Sequence, residues 1–271
     1  MAGLPCAGID GARGGWVGWL VETPGTFTAV HADAFASLVT ALPGNARIWV
    51  DMPIGLPAGQ PHDDGRRACD RLARQSLGGR LAARVFSAPI RAVLDQPSYD
   101  DACRISRERT GRALSLQTWN ICSKIGEVDR FLRTNVGAAN RIREAHPEVA
   151  LAALHPNGAI VSSKRSAKGR RARLSVLTGL GAPAADGWIR KARQEAGDSR
   201  FSAYDDWLDA LVLAAGFGQA TTVTRLPVAD TRDNPGLPVH IHVPQRKVSR
   251  PADPPPRGRP PELACFLRAR R

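Results

Sequence analysis

The chain has 271 residues, of which 43% are hydrophobic and 23% are charged, enough to bury the core of one globular domain. This composition excludes a disordered chain, and no apolar run reaches the roughly 18 residues that a membrane-spanning helix needs. The five cysteines are scattered and form no Cys-x-x-Cys pair, which argues against a disulfide framework and a zinc ribbon. The N-terminus does not resemble a secretory signal, so we expect a cytoplasmic protein.

The net charge is +13, and the basic residues are 33 Arg and 5 Lys. This charge favours a polyanionic partner, with nucleic acid as the first candidate. A GC-rich coding sequence is the plainer explanation of the excess of arginine. Residues 245–271 carry eight basic and two acidic residues in a Pro-rich sequence without apolar periodicity. We predict a disordered basic tail at 245–271 after a folded domain at 1–244.

Three antiparallel strands are predicted first, because apolar residues alternate over 4–10, 16–21 and 27–31. A short helix should follow, with Asp33 as its N-cap and its end at Pro43. The apolar run from Arg47 to Asp51 predicts a buried fourth strand.

Some 90 residues with mainly helical periodicity separate the fourth strand from the next, so we predict a helical insertion at about 58–140, including a helix that starts near Ser115. A fifth strand is expected at about 141–149. The last predicted helices cover about 171–180, a segment from Asp186, and about 204–218. The predicted fold class is α/β: a mixed sheet flanked by helices, with the insertion between the fourth and fifth strands.

Two aspartates end predicted strands: Asp10 the first and Asp51 the fourth. Two ionised carboxylates at the edge of a core are costly unless a cation compensates them. A metal ion is one such cation. Pairing of either aspartate with Arg13 or Arg47 is the structural alternative.

The last predicted helix adds a second acidic pair, because Asp206 and Asp209 are three residues apart and share a helix face. Ser202 to Asp205 resembles a capping box, and acidic residues in a first helical turn need no other purpose. Asp209 lies one turn deeper and enters an apolar run, so capping does not explain it.

Glu144, His146 and Glu148 alternate and would share a face if the fifth strand continues through Pro147, a residue that disfavours a strand interior. An acidic residue here could complete a metal cluster, or the segment could be an exposed sheet edge. Oxygen ligands suit Mg²⁺ or Mn²⁺, and a pair of such ions can hydrolyse a phosphodiester. The candidate metal ligands and catalytic residues are Asp10, Asp51, Asp206 and Asp209, with Glu148 as a further catalytic candidate.

Several motifs stand in order along the chain, among them Gly-Ile-Asp10-Gly-x-x-Gly-Gly-Trp16, Val-Asp51-Met-Pro-Ile-Gly-Leu, Ser115-x-Gln-x-Trp119 and Glu144-x-His146-Pro-Glu148. Together they resemble an uncharacterised family of predicted nucleases with the RNase H-like fold. The resemblance covers about residues 6–243. It implies an RNase H-like domain whose catalytic acids match Asp10, Asp51, Asp206 and Asp209.

Basic residues cluster in two places. Six cations lie between Lys164 and Arg173, in a predicted loop that leads into a helix, where phosphates bind well. Arg67, Arg71 and Arg74 have helical spacing, which also fits a solvated helix face. The candidate nucleic-acid-binding residues are Arg13, Arg67, Arg74, Arg91, Lys124, Lys164, Arg165, Arg170 and Arg173.

The sequence therefore favours a metal-dependent nuclease that uses Mg²⁺ or Mn²⁺ and a two-metal mechanism on DNA or RNA. A non-catalytic nucleic-acid-binding module of the same fold is the main alternative. An ATP-dependent phosphotransferase of the actin and sugar-kinase type is a weaker alternative, because such proteins need two RNase H-like halves and this chain has the length of one.

Overall fold

The structure is a computed structural model that describes residues 4–59, 65–197, 199–201 and 203–246. Gln245 ends the last described strand and Arg246 follows it, so the remainder of the predicted tail lies outside the described residues. Within the described ranges, no helix is both long enough and apolar enough to cross a bilayer.

The main sheet has five strands, which are β1 (Cys6–Ala12), β2 (Gly15–Val21), β3 (Phe27–Ala32), β4 (Arg47–Val50) and β5 (Ile142–Glu144). Their order is β3-β2-β1-β4-β5. The first three strands form an antiparallel meander, whereas β1, β4 and β5 run parallel. This mixed sheet confirms the predicted α/β class, and its order is consistent with an RNase H-like fold.

The connection from β3 to β4 contains α1 (Phe35–Ala41). Its N-cap is Ala34, so the prediction that Asp33 caps this helix is wrong. The Asp33 carboxylate is exposed and instead lies 3.4 Å from the Arg200 guanidinium.

The insertion between β4 and β5 is helical, as predicted. Its helices are α2 (Ala68–Leu77), α3 (Tyr99–Thr110), α4 (Leu116–Thr134) and α5 (Val136–Ala139). The prediction that a helix starts near Ser115 is confirmed, because the Ser115 hydroxyl accepts a hydrogen bond of 3.1 Å from Thr118 N at the start of α4.

The chain after β5 differs from the prediction. The expected strand at 141–149 ends at Glu144, and α6 (Pro147–Leu154) begins three residues later. Proline at the first helical position favours this start, because its missing N–H has no partner in the first turn of a helix. Glu144, His146 and Glu148 therefore do not line one face of a strand.

The remaining elements are α7 (Ala167–Gly179), α8 (Ala185–Ala196), α9 (Tyr204–Gly218) and a two-stranded sheet of β6 (Thr222–Leu226) and β7 (Ile241–Gln245). The predicted bounds of α9 are confirmed. Its N-cap is Ala203, which makes no side-chain cap hydrogen bond, and Ser202, on which the predicted capping box depends, lies outside the described residues.

Two cores cover the two faces of the main sheet. Ile9 and Ile48 pack on one face with residues of α1 and α4. Trp19 and Trp49 pack on the other face with α9, in which every residue from Trp207 to Phe217 is buried. This layering places α9, which is apolar from Ala210 to Phe217, directly across β1.

Gly8 permits the close packing of α9 on β1. A Cβ atom at Gly8 would lie 2.2 Å from the Ala210 carbonyl oxygen and 2.3 Å from Ala214 N. Side chains alternate along a strand, so Asp10 lies on the same face as Gly8, the face that α9 covers. The glycine thus brings the acidic end of β1 against the acidic first turns of α9.

Candidate metal centre

Three carboxylates from distant parts of the sequence meet at one point. Asp10 lies on β1, Asp51 directly follows β4, and Asp209 lies on α9. One oxygen from each lies within 4.8 Å of the other two. The parallel pairing of β1 and β4 brings Asp10 and Asp51 together. A 2.9 Å hydrogen bond from Asp51 N to the Ile9 carbonyl continues this pairing beyond the end of β4. We call these three residues the acidic cluster.

Burial and mutual repulsion make the acidic cluster costly to ionise. Burial raises the pKa of Asp10 well above its usual value, and the charges of Asp51, Asp209 and Asp206 raise it further. Burial also raises the pKa of Asp51 to about 7 and that of Asp209 to about 6, although Lys164 opposes both shifts. Such a cluster is stabilised by added positive charge.

Lys164 supplies one positive charge from within the chain. Its Nζ donates a hydrogen bond to Asp209 Oδ2. Burial of the ammonium opposes its charged form, but Asp209, Asp10 and Asp51 raise the pKa of Lys164 above its usual value. Lys164 therefore stays charged and neutralises part of the acidic cluster.

The donor atoms fit a divalent cation. Asp209 Oδ1 is buried and has no hydrogen-bond partner, so one oxygen of the cluster remains free to bind a cation. Three carboxylates and no nitrogen or sulfur ligand form a set that suits Mg²⁺ or Mn²⁺. The acidic cluster is a candidate metal site on these two observations.

Asp206 lies beside the acidic cluster and not within it. It is partly buried one turn before Asp209, and burial raises its pKa to about 6, with Lys164 opposing the shift. Its charge raises the pKa of both Asp10 and Asp51, which shows that it lies close to them. A role for Asp206 as a metal ligand stays a prediction.

Glu148, a predicted catalytic residue, binds two arginines. Its carboxylate accepts hydrogen bonds from Arg84 Nη1 at 2.5 Å and from Arg173 Nε at 3.1 Å. Both oxygens are thereby used, and Glu148 lies outside the acidic cluster although it lines the same cleft. The structure gives Glu148 a positioning contact, and its catalytic role stays a prediction.

The two arginines bound by Glu148 hold the loop that carries Lys164. Arg84 donates to the carbonyls of residues 160 and 161, both at 2.8 Å, and Arg173 donates to the carbonyl of residue 162 at 3.0 Å. Gly169 packs against the same loop, because a Cβ there would lie 2.0 Å from the Ser163 carbonyl oxygen. This arrangement, which we call the loop clamp, fixes Lys164 over the acidic cluster.

Comparison with known proteins gives a family assignment. A family model described as "Protein of unknown function (DUF429)" matches residues 8–223, which is most of the chain. The chain belongs to the DUF429 family. The match contains the acidic cluster, Lys164 and the loop clamp. No curated protein and no solved structure matches the chain.

Four of the arginines that are predicted to bind nucleic acid have partners within the fold. Arg67 is buried and binds Asp70 and Glu144, the latter at 2.7 Å. Arg173 is fully buried in the loop clamp. The structure does not favour a phosphate contact by either residue, because their side chains are at most 3% exposed and already bind carboxylates. Helical spacing with Arg71 and Arg74 also fitted a solvated face, but Arg67 is the N-cap of α2 and its guanidinium binds buried Asp70 and Glu144.

The other two arginines have internal partners with some exposure. Arg91 binds both Asp129 and Asp233, and Arg74 Nε donates to the Val85 carbonyl at 2.6 Å. Their charges are therefore engaged within the fold. Glu144, once a candidate for the metal cluster, accepts hydrogen bonds from Arg67 and from Ile54 N and stays outside the cluster.

The remaining basic candidates lie around the acidic cluster or on the surface near it. Lys124, Lys164 and Arg165 line a cleft of about 430 Å³ together with the acidic cluster. Arg13 is exposed after β1, and the Arg170 guanidinium lies 4.3 Å above the ring of Tyr204. Binding of nucleic acid by these residues stays a prediction.

The sequence did not single out three residues of the cleft for a role at the site. Phe86, Gln117 and His146 line it with the acidic cluster. His146 Nδ1 is buried without a hydrogen-bond partner, and burial lowers the pKa of this imidazole, so it is neutral near pH 7. The Glu-x-His-Pro-Glu motif could have identified His146 as a site residue, but from the sequence we interpret this motif as part of a strand.

Proposed function

We propose that this DUF429 protein is a divalent-cation-dependent nuclease that hydrolyses phosphodiester bonds in nucleic acid. One observation carries the proposal: Asp10, Asp51 and Asp209 place oxygens within 4.8 Å of one another at the base of a cleft lined by basic side chains. Metal-dependent hydrolysis of a phosphodiester requires carboxylates that hold the metal ion and basic side chains that hold the phosphates. This cleft contains both.

Mg²⁺ or Mn²⁺ is the expected cofactor, held by the acidic cluster with Asp206 beside it. When bound, two such ions would activate water and offset the charge that develops on the leaving oxygen. The chain itself binds and orients the substrate. Lys124 and Arg165 line the cleft beside the cluster and are placed to hold phosphates next to the scissile bond.

The test is cleavage of labelled single-stranded DNA, duplex DNA, RNA and a branched junction, with Mg²⁺, Mn²⁺ or a chelator. We expect cleavage only with a divalent ion, and a loss of at least about a hundredfold in Asp10→Asn, because the variant lacks one of the carboxylates that would hold the ion and so loses transition-state stabilisation. The matched control is Asp33→Asn, which removes an exposed carboxylate elsewhere.

The outcome that would contradict the proposal is also specific. The purified chain would cleave none of these substrates under any ion, and it would show no divalent-ion binding that Asp10→Asn abolishes. Cleavage that persists in the chelator would equally remove the acidic cluster from the mechanism.

A non-catalytic nucleic-acid-binding module is the second candidate. It is favoured by Lys164, which already neutralises part of the acidic cluster without any metal ion. Nucleic-acid binding that is indifferent to the chelator, without turnover, would select this candidate. A phosphotransferase of the sugar-kinase type is not supported, since the described residues form one five-stranded sheet and such enzymes need two.

A further inference from the structure

A second basic cleft lies at the opposite end of the main sheet from the acidic cluster. The carboxyl ends of β1 and β4 lead to the acidic cluster, so the amino ends of β4 and β5 face the other way. Arg47 begins β4, and Arg141 directly precedes β5. They line a cleft of about 580 Å³ together with Arg143 and Arg225. We call it the arginine cleft.

Positive charge in the arginine cleft is only partly neutralised. Arg225 shares Asp230 with Arg232. Within the part of the chain that the structure describes, no carboxylate lies within 4.0 Å of Arg47, Arg141 or Arg143. By contrast, half-buried Arg91 binds two carboxylates, those of Asp129 and Asp233.

Two of these three arginines have fixed positions. Arg141 donates to the carbonyls of residues 39, 43 and 46, which ties it to the end of α1 and the turn that follows. Arg143 Nη1 donates to the carbonyls of residues 139 and 142, at 2.7 and 2.9 Å. No hydrogen-bond partner for Arg143 Nη2 is found among the described residues. An arginine held by carbonyls keeps its full charge, and its free edge can bind a ligand.

The cations of the arginine cleft repel one another. Burial lowers the pKa of Arg143, and the charges of Arg232 and Arg47 lower it further. Burial likewise lowers the pKa of His242 to about 4, where Arg143, His240 and Arg225 add to the effect. The histidine is thus neutral near pH 7, and Asp230 lies within 4.0 Å of Arg225 and Arg232. A bound anion would relieve the repulsion among the arginines.

We propose that the arginine cleft is a phosphate-binding site, in which Arg47 and Arg143 contact the phosphate groups of a nucleotide or of a nucleic-acid strand. Guanidinium groups bind phosphate through paired hydrogen bonds, and two converging arginines match more than one negative charge. The volume is within the range of small-ligand sites. The proposal does not depend on the acidic cluster or on nuclease activity.

The test measures binding by the nucleic-acid-free full chain in a chelator, so that the acidic cluster binds no metal. The probes are pyrophosphate, a nucleoside triphosphate and a fluorescent single-stranded oligonucleotide. The variant is Arg47→Gln with Arg143→Gln. The matched control is Arg107→Gln with Arg109→Gln, which removes the same charge from exposed positions of α3 that do not line the cleft.

We expect the cleft variant to lose at least about tenfold in affinity while the control changes by less than about threefold. For the oligonucleotide, the slope of log affinity against log salt should fall by about 0.7 for each phosphate contact removed. Loss of pyrophosphate or triphosphate binding would identify free nucleotides as the source, and loss of oligonucleotide binding alone would identify a strand.

Two results would overturn the proposal. One is an equal loss in the cleft variant and the control, which would indicate only general attraction to a basic protein. The other is absence of binding by the wild-type chain to all three probes. The single variant Arg47→Gln, at an exposed position, keeps the test valid if the double variant does not fold.

Discussion

Lys164 Nζ and Asp209 Oδ2 form an ion pair at the point where the acidic cluster would hold a metal ion. The lysine and the ion therefore compete for the same carboxylate. The lysine is held there by contacts to its own loop, so the competition is built into the fold and not a chance surface contact.

This competition predicts that Lys164→Met binds Mn²⁺ more tightly than the wild type, by about tenfold, because the displaced charge no longer opposes the ion. Titration calorimetry near neutral pH measures the affinity directly. The control is Arg165→Met, a neighbouring cation whose side chain is 88% exposed. Unchanged or weaker binding in Lys164→Met would show that the lysine assists the ion.

A second prediction concerns stability without metal. The folded-state pKa values of Asp51 and Asp209, about 7 and about 6, lie above their unfolded values. Between the two sets of values the folded chain binds more protons than the unfolded chain, so the free energy of unfolding falls as pH rises from about 4 towards 7. Urea denaturation in a chelator across this range measures it.

The variant Asp10→Asn tests the same repulsion in the metal-free chain. It should raise the free energy of unfolding of the metal-free chain near pH 7 by about 1 kcal/mol or more, because one repelling charge is removed from the acidic cluster. Saturating Mn²⁺ should stabilise the wild type and leave the variant unaffected. A variant less stable than the wild type in the chelator would contradict the predicted repulsion.

The sequence predicted the fold well where periodicity was unambiguous. The meander of β1 to β3 and the bounds of α9 follow from apolar alternation and from an uninterrupted apolar run. The resemblance implied that Asp10, Asp51 and Asp209 share one site, and the structure brings one oxygen of each within 4.8 Å of the other two. Local apolar patterns were sufficient for the meander and for α9.

The sequence could not predict partners that depend on tertiary packing. Glu148 and Arg173 are 25 residues apart, and Arg84 is 64 residues from Glu148. From their neighbours in sequence, Glu148 was interpreted as a catalytic candidate and Arg173 as a phosphate contact. Only the packing of α6, α7 and the insertion shows that they bind one another.

The loop clamp gives a third prediction. Glu148→Gln should destabilise the chain by about 3 kcal/mol, because it leaves the fully buried Arg173 without a neutralising carboxylate. Hydrogen exchange should quicken at residues 160–166 more than elsewhere, since the released arginines hold that loop. Glu195→Gln, which removes a carboxylate 3.6 Å from exposed Lys191, is the control and should leave exchange at this loop unchanged. Uniformly faster exchange across the chain would show that Glu148 has only a general structural role.

The packing of β1 on α9 gives the last prediction. Gly8→Ala adds a methyl group 2.2 Å from the Ala210 carbonyl oxygen, so the helix must move away from the strand. We expect a loss of about 3 kcal/mol in the free energy of unfolding, together with at least about tenfold weaker Mn²⁺ binding, because Asp209 moves with the helix away from Asp10. Gly44→Ala is the matched control, since no atom lies within 4 Å of its added Cβ. If Gly8→Ala lowers stability but keeps the wild-type Mn²⁺ affinity, the spacing of β1 and α9 does not set the geometry of the acidic cluster.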